Sequence, residues 1–275
     1  MSGPDLESRI PVAHAAVTAQ IPLFDAGFGA VRSDWKSDGS RVTPADIAIS
    51  ENIQAAILAA FPEDQFFSEE LAEGDGDVVV TSRFSWVLDP IDGTNNFALG
   101  IPNCAIALAL CEDGEPVYGV IYDFGRKRLL HGGPGRGVYD GEVEAKVSDA
   151  AAGAQAIIGF HSPVERGRYP GHAEAIVGAY KIRGLGSSTL HLAYTAIGLI
   201  DGTVDHNVKL WDIAAAIPLV RGAGGEVRFL GPSPLPLRRF SLAMDRIFYV
   251  AGKASMCDAL QAALESAGAP RASDD

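Results

Sequence analysis

A chain of 275 residues, 47% hydrophobic and 21% charged, has the length for one large domain or two modest ones and is too apolar to be disordered. Its 35 acidic residues against 22 basic ones leave a net charge of −13, which argues against nucleic acid as an electrostatic partner but leaves anionic substrates open if metal ions supply the positive charge. The longest apolar run, residues 104–111, falls far short of the roughly 20 residues a membrane helix needs. No basic and apolar leader opens the chain, and Cys104, Cys111 and Cys257 lack a C-x-x-C spacing, so the expectation is three reduced thiols in a soluble, cytoplasmic protein.

Residues 12–31 carry apolar side chains at loosely helical spacing, interrupted by Pro22. Thr43-Pro44-Ala45-Asp46 has the form of a helix start, with Pro and carboxylates in the first turns, and predicts a helix to about Phe61, where Pro62 stops it. Residues 85–89 read as a short buried strand, and 104–111 with 117–122 as paired strands around Glu112-Asp113-Gly114-Glu115. Residues 132–141, rich in glycine, read as turns between short strands. Beyond Asp149 strands and helices alternate: strands at 156–160, 181–185, 226–230 and 247–251, and helices at 171–179, 188–200, 211–223 and 255–267. The two halves suggest a hairpin-rich α+β part over 1–148 and an α/β part over 149–275.

The stretch Trp86-Val87-Leu88-Asp89-Pro90-Ile91-Asp92-Gly93-Thr94-Asn95-Asn96-Phe97 carries the chemistry. An apolar strand ends in Asp89, and a proline-containing turn brings Asp92 three residues later. Two carboxylates at a strand end suit Mg²⁺, which takes oxygen ligands and keeps positions for water and phosphate. The N–H groups of Gly93 and Thr94 would face an anion if they open a helix. Taken alone, D-P-x-D-G is also good turn chemistry, with an Asx hydrogen bond in place of a ligand set. Scattered histidines with no H-x-H or H-x-x-x-H spacing argue against zinc, and Ser187 and Ser188 lack the G-x-S-x-G setting of a serine nucleophile.

Together with Phe67-Ser68-Glu69-Glu70 upstream and Leu210-Trp211-Asp212-Ile213-Ala214-Ala215 downstream, this stretch resembles the inositol monophosphatase family, part of a Mg²⁺-dependent, lithium-sensitive phosphatase superfamily. The family's elements are G-E-E, D-P-(I/L)-D-G-T-x-x-F and W-D-x-A-(A/G), and Lys36 and Thr43-Pro44-Ala45-Asp46 match its N-terminal basic residue and T-x-x-D element. The resemblance implies a layered αβαβα sandwich of the inositol monophosphatase and fructose-1,6-bisphosphatase type, a phosphomonoesterase that hydrolyses a small phosphorylated alcohol and assembles as a homodimer. It implies that Glu69, Asp89 and the carbonyl of Ile91 bind one Mg²⁺, and that Asp89, Asp92 and Asp212 bind a second, with a weaker third ion leaning on Glu69. Thr94 and Asp46 would hydrogen-bond each other and orient the attacking water, and Gly93 and Thr94 would hold phosphate oxygens. Two such ions about 4 Å apart can stabilise the entering and leaving oxygens of an in-line displacement.

The departures bear on the leaving alcohol. Gly186, Ser187 and Ser188 correspond to a loop that contacts the substrate's organic part in the family. Asp205, seven residues before Asp212, falls where an inositol-specific enzyme places Glu, and its reach is shorter by a methylene. Ser68 replaces the Gly of G-E-E and Asn95 a common second Thr. D-G-T-N-N-F favours an inositol monophosphate, with histidinol phosphate, fructose 1,6-bisphosphate and 3′-phosphonucleotides as alternatives. A degenerate relative that binds phosphate ligands without turnover is the non-enzymatic reading.

Overall fold

The computed structural model describes residues 4–30, 34–35, 41–70 and 76–268. Two large sheets form its frame. The strands Gln65–Ser68, Phe84–Asp92, Ala105–Glu112, Glu115–Asp123, Arg128–Gly133, Gly137–Asp140 and Val143–Glu144 lie side by side in that order in a seven-stranded sheet. Only its first pair, Gln65–Ser68 with Phe84–Asp92, is parallel. The second sheet has five strands in the order Lys181–Arg183, Ile157–Phe160, Gly202–Val208, Ile247–Gly252, Glu226–Phe229, all in one direction except Ile247–Gly252, which is antiparallel to both its neighbours.

Strand periodicity decides what each face meets. On Ala105–Glu112 the small residues Ala105, Ala107 and Ala109 point into one core, and Ile106, Leu108 and Leu110 into another. The second core is closed by the helices Pro4–Thr18, Ile21–Gly27 and Pro44–Ala60, through Leu6, Val17, Phe24, Ile49, Ile53 and Ile57. The first is closed by Ser188–Ala196, Leu210–Ala214 and Ala216–Gly222. The far side of those helices meets Tyr249 and Ala251 of the second sheet. That sheet's other face, through Val204, Phe248 and Val250, carries His172–Ala179 and Ala254–Ala267. The layering is α, β, α, β, α, as the resemblance implies.

The first helix is pinned by a buried ion pair as well as by packing. Arg9 Nε and Nη2 donate to the two carboxylate oxygens of Asp64 at 2.8 and 2.6 Å, the indole N–H of Trp86 donates to the same group at 2.9 Å, and the guanidinium lies 3.9 Å over the Phe84 ring. One glycine sets a close approach between layers. A Cβ on Gly119 would lie 1.9 Å from the carbonyl oxygen of Ala215, so the middle helices rest directly on the sheet backbone there.

Several elements differ from the sequence expectation. The helix predicted over 12–31 is two, Pro4–Thr18 and Ile21–Gly27, because Pro22 sits in the first turn of the second and its ring cannot continue a preceding helix. Residues 211–223 also form two helices, Leu210–Ala214 and Ala216–Gly222, since Pro218 offers no N–H to the carbonyl of Ala214. Predicted strand 85–89 runs on through Pro90 to Asp92. Strands at Gln65–Ser68 and Gly202–Val208 carry no clear alternation and were not predicted. Among the described residues no helix is long and apolar enough to cross a membrane.

Candidate active site

Asp89 and Asp92 are three residues apart, and on a regular strand they would face opposite sides of the sheet. The pairing with Ala105–Glu112 slips between them: Asp89 pairs with Ala107 and Asp92 with Ala105. This bulge, at the proline that has no N–H to give the ladder, turns both carboxylates into one cleft. Asp212 reaches the same place from the first turn of Leu210–Ala214, where its Oδ2 accepts the Lys209 N–H at 2.8 Å. Ligand oxygens of Asp89, Asp92 and Asp212 lie within 4.8 Å of one another. Glu69 follows the parallel strand Gln65–Ser68 and lines the same cleft, which has a volume of about 210 Å³. Ile91, Gly93, Thr94 and Asn95 line it too.

The loop after Asp92 needs glycine. Gly93 has φ +82°, and a Cβ there would meet the Asn103 carbonyl oxygen at 2.7 Å. Helix Thr94–Leu99 starts immediately after it. Asn96 then fastens the far wall, its amide donating to the carbonyls of Asn103 at 2.7 Å and Leu185 at 2.8 Å.

Gathering carboxylates in a buried cleft makes each one harder to ionise. Asp89 is pushed well above the usual carboxylate range by burial, then by Glu69, Asp92 and Asp212. Asp212 is raised by burial, then by Asp92 and Glu69. Burial lifts Asp92 to about 6, against the pull of its hydrogen bonds from Ser187 and Thr189. A divalent cation among these oxygens would reverse all three effects, and an all-oxygen donor set suits Mg²⁺. The Ile91 carbonyl is held beside them, accepting the Thr94 hydroxyl at 2.9 Å.

That last bond departs from the expected Thr94–Asp46 pair. Asp46 occupies the third position of helix Pro44–Ala60, where its Oδ2 accepts both the N–H and the hydroxyl of Thr43, at 2.7 and 2.6 Å. This reciprocal cap holds its carboxylate to the helix start. Asp46 remains close enough to raise Asp89.

The residues expected at the substrate divide. Gly186 and Ser188 line the cleft. Ser187 does not: it is buried, its hydroxyl donates to Asp92 Oδ2 and accepts the Leu190 N–H at 3.1 Å, so it caps helix Ser188–Ala196 while orienting an acid. Asp205 does not line it either, because it points from strand Gly202–Val208 into the protein and is fully buried. Lys36 lies outside the described residues. The sequence reading missed Arg41, His161, Asn207 and Arg246, all on the cleft wall. It also missed that His161, His191 and Asp205 bring ligand atoms within 4.8 Å of one another. They come from three separate segments, so no spacing signal joins them.

The model of the inositol monophosphatase family matches residues 5–265. The chain belongs to that family. Its members are phosphatases, and the family is Mg²⁺-dependent, in keeping with the carboxylate oxygens that Asp89, Asp92 and Asp212 bring together. A Mycobacterium tuberculosis relative, "Probable inositol 1-monophosphatase ImpA", is 34% identical over 242 residues, 84% of this chain and 87% of the relative. Among solved structures, the extragenic suppressor protein suhB of Bartonella henselae is 27% identical with a TM-score of 0.79, covering 96% of this chain and 99% of its own. An IMPase/NADP phosphatase complexed with Mg²⁺ and phosphate has the same fold, with TM-score 0.79, 21% identity and 98% coverage of both chains.

Proposed function

We propose that this family member hydrolyses an inositol monophosphate, with Glu69, Asp89, Asp92, Asp212 and the Ile91 carbonyl holding two Mg²⁺ ions, and a third more weakly. The observation that carries the reading is the meeting of Asp89, Asp92 and Asp212 within 4.8 Å in a cleft that Glu69 also lines. When bound, Mg²⁺ polarises the phosphoryl group and lowers the pKa of water. The protein's part is positioning. Ser187 and the Thr189 N–H, at 3.0 Å, fix Asp92, and the Lys209 N–H fixes Asp212. Gly93 and Thr94 set backbone N–H groups beside these acids for phosphate oxygens, and Thr94 holds the Ile91 carbonyl in place. Inositol is favoured by D-G-T-N-N-F and by the name of the Mycobacterium tuberculosis relative. Homodimer assembly belongs to the same reading and is supported by the family resemblance.

A second reading has one observation in its favour. Arg41 and Arg246 line the cleft of an otherwise acidic protein, which suits a substrate with a second anionic group, such as fructose 1,6-bisphosphate or a 3′-phosphonucleotide. Phosphate release should be measured with and without Mg²⁺ for these two, inositol 1-phosphate and histidinol phosphate. The expected result is Mg²⁺-dependent turnover with the highest kcat/KM on inositol 1-phosphate, lost by about 10²-fold or more in Asp92→Asn. A higher kcat/KM on a bisphosphorylated substrate moves the assignment to the second reading. No Mg²⁺-dependent release from any of them overturns both.

A further inference from the structure

Asp205 occupies the position where the resemblance placed an acid that reads the leaving alcohol, yet it is sealed from the cleft. Its carboxylate is nevertheless connected to it. Oδ1 accepts the Asn207 N–H at 3.1 Å, and Oδ2 accepts the Ser188 hydroxyl at 3.0 Å. Ser188 Oγ lies 3.3 Å from His161 Nδ1, and the His161 ring, 31% exposed, lines the cleft.

A hydroxyl has one proton to give. Ser188 gives it to the carboxylate, so toward His161 it can only accept, and Nδ1 is the nitrogen that carries hydrogen. With hydrogen at Nδ1, the ring's other nitrogen, Nε2, is the one left to meet a substrate hydroxyl, and in the neutral imidazole it accepts. A carboxylate one methylene too short and folded inward is thus extended, through Ser188 and an imidazole, into an acceptor at the cleft wall. The alternative use of the group, as a cation site of His161, His191 and Asp205, would break bonds already made: His191 Nε2 accepts the Leu185 N–H at 2.9 Å, and both Asp205 oxygens are engaged.

We propose that His161, oriented by Asp205 through Ser188, is the specificity-determining residue of this site, its Nε2 accepting a hydrogen bond from a hydroxyl of the leaving alcohol. The inference rests on the phosphatase reading above and narrows the substrate to a phosphomonoester whose alcohol carries a further free hydroxyl. Removing an acceptor that a buried hydroxyl needs strands that hydroxyl, and the loss falls only on substrates that possess it.

The test compares kcat/KM at saturating Mg²⁺ for inositol 1-phosphate and for cyclohexyl phosphate, the same ring without hydroxyls. Two variants are read beside the wild type. His161→Ala removes the whole ring, whereas His161→Asn keeps a side-chain N–H for Ser188 and presents nothing at the Nε2 position. In both, the ratio of inositol 1-phosphate to cyclohexyl phosphate is expected to fall about tenfold to a hundredfold. The asparagine variant keeps the question answerable if the alanine variant does not fold. A proportional loss on both substrates, leaving the ratio at the wild-type value, overturns the role of His161 while the phosphatase reading stands. A wild type that releases phosphate from neither substrate overturns the phosphatase reading and this inference with it.

Discussion

Ser187 shows how one side chain links the stability of an element to the chemistry of the cleft. Its Oγ accepts the Leu190 N–H as a helix cap and donates its only proton to Asp92. Replacing it with alanine removes the cap, at a cost of about 0.5–2 kcal/mol. It also removes the donor that best offsets the burial of Asp92, so the carboxylate becomes harder to ionise. Ser187→Ala is therefore expected to raise the Mg²⁺ concentration for half-maximal activity by about 10–100-fold, beyond any change in Tm. Mg²⁺ titrations of phosphate release check this, and an unchanged midpoint would show that Asp92 needs no help from Ser187. Thr94 is a contrasting case, because its hydroxyl serves the Ile91 carbonyl and the loop geometry.

At the scale of elements, the site depends on how closely the middle helices sit on the seven-stranded sheet. Asp212 rides on Leu210–Ala214, and Ala215 directly after it lies over Gly119 with no room for a Cβ. Ala105, Ala107 and Ala109 on the next strand keep that face shallow. Gly119→Ala must push the helix outward and carry Asp212 away from Asp89 and Asp92. The expected outcome is a destabilisation of about 1–3 kcal/mol in denaturant unfolding, with a larger proportional loss of Mg²⁺-dependent turnover. Full activity at reduced stability would show that the helix absorbs the strain without moving Asp212.

For the whole molecule, protons and cations compete for the same oxygens. Asp92, raised to about 6 from 3.8, binds more protons folded than unfolded across that interval, so its contribution to metal-free stability fades as pH rises through it. A cation that replaces the proton restores it. His191 and His206 act with the opposite sign. Burial lowers both to about 3, so the unfolded chain binds more protons between that value and 6.5, and their contribution is complete only above 6.5. Mg²⁺ should therefore raise Tm clearly at pH 7.5 and much less at pH 5, read by calorimetry against a chelator control. An equal lift at both values would mean that the cation does not displace protons from Asp92.

Much of this was legible before any fold was known, and the reason is local chemistry. Pro44 and Asp46 mark a helix start through capping rules that act within one turn. Asp89-Pro90-Ile91-Asp92-Gly93-Thr94 states its ligand types and its tight turn in six consecutive residues. The order of the motifs carries the family and, with it, the five layers. What the chain order could not show depends on side chains that meet only through packing. The bulge that turns Asp89 and Asp92 the same way is a property of their pairing with Ala105–Glu112. The inward turn of Ser187 and Asp205 is set by a helix cap and by strand Gly202–Val208. His161 carries no motif, and its place beside Ser188 and Asp205 comes from segments 27 and 17 residues apart along the chain. Sequence by itself determined which atoms are available for the chemistry, since residue type and short-range geometry suffice for that. Which of them face the cleft was decided only by tertiary structure, because burial and register are settled by neighbours distant in the chain.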